Sequence, residues 1–554
     1  MDTKRLALAC AVSAAVVILW NLLFPPPAPP ARPRTPQGVA GKSTPTVVPA
    51  AADGVSPTPA AGAASRAPAA PARVEPIAAA DARELVVSNA LYTARLSNRG
   101  GELLSYTLNR YQDHAGRRLD LVRHGAPFPG TLLRLDGADP FLARARGALH
   151  QVEHEEGGGT ARVTFRYREA DGNALTRTYT FRGGYVLGLT VEREGAKDAP
   201  VAVVIGPGIG NPSPEELKNR YTRPGQSVVL HPSGRVERHP PDALKETVAL
   251  PSGLTAVGLE ENYFVSAFLP QGAAAATLRP VALGVPTDAK TPGLGETEVV
   301  LSAPGKLETE LFLGPKELGL LEKLRPGMAR FIDFGWYVVV AKPLLYAMKA
   351  IHGWVGNYGV AIILITVIIR ALLYPLTHKQ LVSMKKMSKV QPKMEAIRVK
   401  WAPRIKQDPQ ARLKMQEEMM QLYKTEGVNP YGGCLPFVIQ IPIFVAFYNV
   451  LAHAIELRHA PFALWITDLS AKDPYYVTPI LMTVSMWVQQ QLTPATADPM
   501  QKRIFAVMPF VFGFFFKDLP SGLVLYWLVQ NILGITQQMV LNRLPEHKGG
   551  NKPK

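Results

Sequence analysis

Between residues 356 and 541 five apolar stretches follow one another, at about 356–376, 434–452, 475–491, 504–516 and 519–541. Stretches of this kind are read as membrane-crossing helices, because in hydrocarbon only a helix or a closed barrel satisfies its own backbone groups. Several are short. The thirteen residues Ile504–Phe516 fall below the ~20 that usually cross a bilayer, so a re-entrant segment is the competing reading. Basic residues on both sides of the 504–541 pair favour a crossing and a return.

The amino terminus, MDTKRLALACAVSAAVVILWNLLFPPP, adds nineteen largely apolar residues, Leu6–Phe24, after a short basic head. A cleaved signal peptide would have a shorter apolar core ending in small residues, whereas this one ends in Trp20, Phe24 and prolines, so an uncleaved anchor is expected. Residues 25–80 are rich in Pro and Ala and nearly free of large apolar side chains. They bury too little to offset the entropy of ordering, and a tether is expected.

From Glu84 to Leu324 the texture changes to alternation. In RVTFRYR, Val163, Phe165 and Tyr167 point one way and Arg162, Thr164, Arg166 and Arg168 the other; TRTYTFR repeats the pattern after Asp171-Gly172, which predicts a hairpin. Similar runs at 85–96, 101–108, 185–193, 201–205 and 298–313 predict one large antiparallel sandwich. The following stretch, FIDFGWYVVVAKPLLYAMKAIHGW, is apolar but holds Lys342 and Lys349, seven apart on one helix face, which suits a helix lying in the membrane interface.

The formal charge of +17 fits either nucleic acid or anionic lipid, and the location of the basic residues decides for lipid. Residues 377–433 hold twelve Lys or Arg against five Asp or Glu. Lys4-Arg5, Lys502-Arg503 and the tail from Arg543 fall on the same side if each stretch crosses once, and that side is the cytoplasm. Both termini are then cytoplasmic, and the β-domain faces the periplasm of a cell with two membranes. The expected architecture is a polytopic α-helical membrane protein of six spans, with a large periplasmic all-β domain and a cytoplasmic helical hairpin. Its expected parts are an anchor (1–24), a linker (25–82), a β-sandwich domain (83–328), an interfacial helix (329–355), a five-span core (356–544) with the hairpin and loop at 377–433, and a basic tail (545–554).

Arg370 interrupts the first of the five stretches, in LITVIIRALLYPL. It lies six residues from the end at Leu376, about 9 Å from the boundary at 1.5 Å per residue, so snorkelling competes with a buried role. Thr366 is one turn earlier, and Gln440, Asn449, Thr483, Ser485, Gln530, Asn531, Thr536, Gln537 and Gln538 bring polar groups to membrane depth on the other stretches. Interhelical hydrogen bonds account for some of the uncharged ones. No Asp or Glu lies within the five stretches to pair with Arg370, so the set predicts a wet cavity whose one cation awaits a negative ligand.

On the cytoplasmic side, Asp408-Pro409 signals a helix start, Met415, Met419 and Leu422 share a face, and Gly427 ends the run. Leu381, Met384, Met387, Val390, Met394 and Ile397 form an earlier stripe interrupted by Pro392, so two antiparallel helices are expected. Methionine stripes usually pack a core, but thioethers also repack around varied apolar segments. No phosphate-binding loop, H-E-x-x-H or G-x-S-x-G occurs, and GPGIG at 206–210 lacks dinucleotide-binding spacing. His150 and His154 are four apart in β structure, a spacing that does not bring metal ligands together. Cys10 and Cys434 are the only cysteines, which leaves no disulfide framework. No enzymatic activity, cofactor or metal is expected.

WVGNYGVAIILITVIIRALLYPLTHKQLVSMKKM, VNPYGGCLPFVIQIPIF, ELRHAPFALWITDLSAKDPYY and LPSGLVLYWLVQNILGITQQ, in that order, resemble the YidC/Oxa/Albino family of membrane insertases over about 330–545. The anchor, tether and β-domain agree in layout with its Gram-negative members. The resemblance implies five helices around a hydrophilic groove closed towards the periplasm, with Arg370, Thr366, Gln440, Gln530, Asn531 and Trp527 in it. It implies a slide between the third and fifth of six spans, carried by Cys434, Pro436, Ile441, Phe444, Phe505, Met508 and Phe512. Met384, Met387, Met394, Met415 and Met419 would serve on the hairpin. The implied partners are newly made membrane proteins with short, often acidic outer tails, the Sec translocon with its accessory subunits, the translating ribosome (weakly, given the short basic tail), and anionic lipids, but no DNA. The β-domain resembles the sugar-binding supersandwich fold and is given a scaffold or partner role. KDLPSG departs from the family by placing Lys517 and Asp518 beside the last turn. A lipid scramblase or small-solute transporter using the same cavity is the rival reading; a sugar-modifying β-domain has no paired carboxylate or His to support it.

Overall fold

Residues 84–315 form two antiparallel sheets of nine strands each among the described residues of the computed structural model, which are 75–543 apart from 114, 126, 196–198, 211–224, 273, 284–293, 406–407, 428–434 and 493–498. The expected anchor, most of the tether and the basic tail lie outside them. One sheet runs in the order Glu84–Ser88, Tyr92–Ser97, Leu103–Gln112, Leu133–Leu135, Pro200–Ile205, Leu294–Pro304, Ala275–Leu283, Val248–Ala249, with Arg118–Asp120 paired to the third strand. The other runs Val236–His239, Gln226–Leu230, Ala256–Glu260, Phe264–Pro270, Lys306–Pro315, Val186–Glu194, Ala174–Phe181, Thr160–Arg168, Gln151–Gly157.

The hairpin read from alternation is present: Val163 faces Tyr179 and Phe165 faces Arg177 across it, and Asn173 N donates to Asp171 Oδ1 at 2.9 Å in the turn. Arg177 breaks the rule that charged residues point outward. It is wholly buried beside Tyr179, donating to Gly100 O at 3.1 Å. The strands Gln226–Leu230, Ala256–Glu260 and Phe264–Pro270 were not expected from alternation, because nearly all their residues are buried on both faces and their sequence does not alternate. A helix, α1 (Pro140–Gly147), was also unforeseen; Asp139 caps it through Phe141 N and Leu142 N.

His150 is fully buried, its Nε2 2.7 Å from Ala145 O and its ring stacked on Tyr167. Burial pushes its pKa down to about 4, against the opposing hydrogen bond to Ala145. Between pH ~6.5 and that value the unfolded chain binds a proton here and the folded chain does not, so stability rises with pH across that window and is flat above it. Unfolding of the full chain in detergent is expected to lose about 1 kcal/mol between pH ~7 and ~5.5 through this ring, and His150→Gln to remove that part of the slope. An unchanged slope in the variant would refute the assignment.

A buried carboxylate joins the sandwich to the helices. Glu260, 1% exposed, accepts from Arg238 Nε at 2.6 Å and forms an ion pair with Lys316 Nζ at 2.9 Å. Arg238 and Lys316 also donate to backbone oxygens of Arg330 and Phe331. This fixes the turn Met328–Phe331, which leads from α2 (Leu318–Leu324) to α3 (Val338–Val355).

The helices that follow are α4 (Tyr358–Leu372), α5 (Tyr374–Ile405), α6 (Pro409–Thr425), α7 (Leu435–His453), α8 (Val477–Leu492), α9 (Pro499–Phe516) and α10 (Ser521–Arg543). Among the described residues no single helix is both long and apolar enough to cross a membrane; α4 and α5 together are, but they meet at a 65° bend. The chain breaks at Leu373 because Pro375 has no amide hydrogen and disfavours helical geometry before it. Arg370 is thus two residues from its helix end, rather than six.

Two further expectations change. The helix expected to lie in the membrane interface begins at Val338 rather than 329, after two 3₁₀ turns at Met328–Phe331 and Gly335–Tyr337. Lys342 and Lys349 share one face of it, where Lys342 pairs with Glu322 at 3.0 Å and Lys349 with Glu317 and Glu456 at 3.2 and 2.8 Å. Pro392 does not interrupt the hairpin, since α5 runs through it and through Pro403. The pairs Lys393–Glu426 and Lys400–Glu418 show α5 and α6 to be antiparallel, packed around Val390 and Met394.

Candidate hydrophilic recess

The elbow between α4 and α5 leaves a space that neither helix fills. Arg370 in the last turn of α4 and Thr377 in the first turn of α5 both reach Gln537 of α10: Arg370 Nη2 donates to Gln537 Oε1 at 3.2 Å, and Gln537 Nε2 to Thr377 Oγ1 at 3.1 Å. Arg370 Nη1 lies 3.5 Å from Gln530 Oε1. Around this group is a cavity of about 200 Å³, lined also by Gln380, Met384, Gln440, Gln489 and Gln538. Gly534 makes room for it: a Cβ there would lie 2.7 Å from Gln489 Nε2 and 3.2 Å from Arg370 Nη2.

The electrostatics are one-sided. Among the described residues no ion pair joins Arg370 to a carboxylate, its partners are neutral amides, and its buried Nε has no hydrogen-bond partner. A guanidinium stays charged in protein, so its charge must be met by amide dipoles and water. Beneath it, the buried Tyr526 hydroxyl accepts from Gln440, and from Gln530 at 3.4 Å. Gln530 therefore turns its carbonyl to Arg370 and its amide to Tyr526.

At the opposite end of α4, about 20 Å away along thirteen residues at 1.5 Å each, a loop at 454–476 closes the bundle. Asn357 caps α4 through Val360 N and donates to Phe462 O at 2.8 Å. Ser521 N and Gly522 N, at the start of α10, donate to Ala471 O and Leu469 O at 2.7 and 3.0 Å. The recess thus lies at one end of α4, while at the other end hydrogen bonds tie the 454–476 loop to α4 and α10.

Of the residues expected in the groove, Arg370 and Gln440 line the cavity and Gln530 touches Arg370. Thr366 stands apart, its buried hydroxyl turned back to Ile362 O at 2.6 Å. Asn531 donates across to Ser485 Oγ at 2.9 Å, an interhelical bond rather than a wall of the cavity. Trp527 sits in an aromatic cluster, 5.1 Å from Phe444 and 6.4 Å from Phe512, and so joins the two helices expected to form the slide. Ile441 and Met508 are half-buried and Phe505 is exposed; Cys434 lies outside the described residues, as does the side chain of Pro436. On the hairpin, Met384 reaches the cavity, Met387 and Met419 pack on the buried Met394, and Met415 is half-buried. Gln489 and Gly534 were missed. Gln489 opens a QQQ run that reads as a helix end, whereas Gln530, Gly534 and Gln537, spaced by four and three, already mark one polar face of α10.

A family model described as the YidC periplasmic domain matches residues 84–347, and one described as the 60Kd inner membrane protein matches residues 350–548. The membrane protein insertase YidC of Geobacter metallireducens is 36% identical over 555 residues, 98% of this chain and 98% of the relative. That of Geobacter sulfurreducens is 39% identical over 470 residues, 82% of this chain and 85% of the relative. Among solved structures, an active YidC insertase with its first transmembrane domain resolved is 22% identical, covers 85% of this chain and 95% of that one, and has a TM-score of 0.37. Through relatives matched along nearly their whole length, this chain belongs to the YidC family of membrane protein insertases.

Proposed function

We propose that the chain is an inner-membrane insertase that places newly made membrane proteins in the bilayer, alone or with the Sec translocon and its accessory subunits. The observation that carries this reading is Arg370: a cation in a polar recess with amides around it and no carboxylate beside it. The short outer tail of a client enters the recess, its acidic groups are drawn to Arg370, and its apolar segment leaves between α7 and α9 past Phe444, Phe512 and Trp527. Met384 and the hairpin methionines receive the segment first.

No nucleotide is needed. The client's own transfer into lipid drives the step, at roughly 25 cal/mol per Å² of apolar surface, aided by the membrane potential on acidic tails. The apolar run of α9, Ile504–Phe516, supports a thinned bilayer, since thirteen residues reach about 20 Å against the ~30 Å of ordinary hydrocarbon. In this reading α4, α7, α8, α9 and α10 are five spans, residues 1–24 a sixth, and 377–433 and 545–554 are cytoplasmic with both termini. The β-domain (83–328) is then periplasmic. Residues 329–355 lie in the outer interface, supported by Trp336, in the turn before α3, and Trp354, in its last turn, which are 96% and 94% exposed. Ribosome contact is weak and anionic lipids meet the basic hairpin.

Purified protein in liposomes, given a single-span client with an acidic tail, is expected to yield protease-protected client well above protein-free vesicles. Lipid flipping or solute flux at matching rates, without protected client, would replace the reading with a scramblase or transporter.

A further inference from the structure

The segment that follows α7 is fastened at two points, one on α3 and one on the sandwich. In the 3₁₀ turn Ile455–Leu457 both Ile455 and Leu457 are buried. Glu456, between them, accepts from Lys349 Nζ at 2.8 Å, and the same ammonium reaches Glu317 at 3.2 Å, the residue that starts α2 at the foot of the sandwich. Arg458 points the other way. Its Nη1 donates to Gln112 O at 2.8 Å at the end of the strand Leu103–Gln112, and its guanidinium lies 5.6 Å from both the Tyr263 and the Phe264 ring centroids. Tyr111 packs edge-on against Phe264 at 5.4 Å, so the seat for Arg458 is built from two strands of opposite sheets.

The fastened segment opens the 454–476 loop that closes the bundle away from the recess. We propose that the sandwich domain is a latch: it seats residues 454–466 through Arg458 and Glu456, and so holds the far end of the bundle shut while the recess end admits a client. This rests on reading the bundle as an insertion route, and it gives the β-domain a partner within its own chain. Arg458 is the fastening that reaches the sandwich directly, donating to a strand-end backbone oxygen beside two aromatic rings, whereas Glu456 reaches it only by way of Lys349 and Glu317. Both contacts are modest and polar, which makes the seat reversible.

Hydrogen exchange of the full chain in liposomes tests this. The amides of Phe462 and Leu469 are bonded inside the loop, to Ile466 O and Ala460 O. Arg458→Ala is expected to speed exchange across 454–469 about 10- to 100-fold, the range for one charge-assisted hydrogen bond, with α10 unchanged. Glu456→Gln, the milder variant, is expected to speed it a few-fold. Unchanged loop exchange in Arg458→Ala, or equal acceleration throughout α10, would overturn the latch. Faster loop exchange in Arg458→Ala, in a protein whose unaltered form yields no protected client, would instead count against the insertion reading and leave the latch standing, since this readout needs no client.

Discussion

Replacing Arg370 by alanine is expected to lower insertion of single-span clients in proportion to the acidity of their outer tails. A tail with one or two carboxylates loses about 10- to 100-fold, the worth of a charge-assisted hydrogen bond in a partly dehydrated site, and a neutral tail is nearly unaffected. The argument is geometric. The guanidinium is positioned by Gln530 and Gln537 at the cavity wall, its Nε is unused, and no carboxylate competes for it among the described residues. Lysine keeps the charge within reach of the cavity and gives up the planar fork, so Arg370→Lys is expected to retain most activity. The benefit should shrink at high salt, where the attraction that draws the tail inward is screened. Measured in liposomes with a client series that differs only in tail charge, equal losses for acidic and neutral tails would mean that Arg370 supports the bundle rather than the client.

How much of this was legible in the residues depends on whether a residue's burial leaves a periodic trace. Half-buried strands such as Thr160–Arg168 alternate and were found; Gln226–Leu230 and Ala256–Glu260, buried throughout, do not alternate and were missed. The polar recess was foreseen because a charge in an apolar stretch is costly wherever it occurs. Its membership was less visible. Thr366 and Asn531 satisfy themselves locally or across to α8, whereas Gln489 was hidden in a run of three glutamines. Lys342 and Lys349 share a face as expected, but what that face meets is set by Glu322 and Glu317, 20 and 32 residues before their partners, and by Glu456, 107 residues on. Long-range partners of this kind leave no mark in the local pattern.

The GNYG stretch at 356–359 shows the same limit from the other side, since its physical reason appears only in the packing. Gly356 turns the chain with φ 68° at the end of α3, and Asn357 caps α4 while holding Phe462 O. Gly359 lets the Phe462 ring lie against the helix backbone: a Cβ there would be 2.0 Å from Phe462 Cδ2, 2.4 Å from Cγ and 2.7 Å from Cβ. The ring cannot simply rotate away. Its own Cβ is in the way, and its backbone is tied to Asn357 Nδ2 and to Ile466 through bonds of 2.8 and 3.0 Å. Gly359→Ala is therefore expected to cost about 3 kcal/mol or more, at the upper end for overpacking, and to lift the 454–476 loop from α4. Phe462→Ala alone should cost a comparable ~3 kcal/mol by leaving a cavity. The double variant removes the clash along with the ring, so its loss should fall short of the sum by about 1–3 kcal/mol in denaturant titrations of the detergent-solubilised chain. Strictly additive losses would show that Gly359 and Phe462 act independently, and the seal at that end of the bundle would need another explanation.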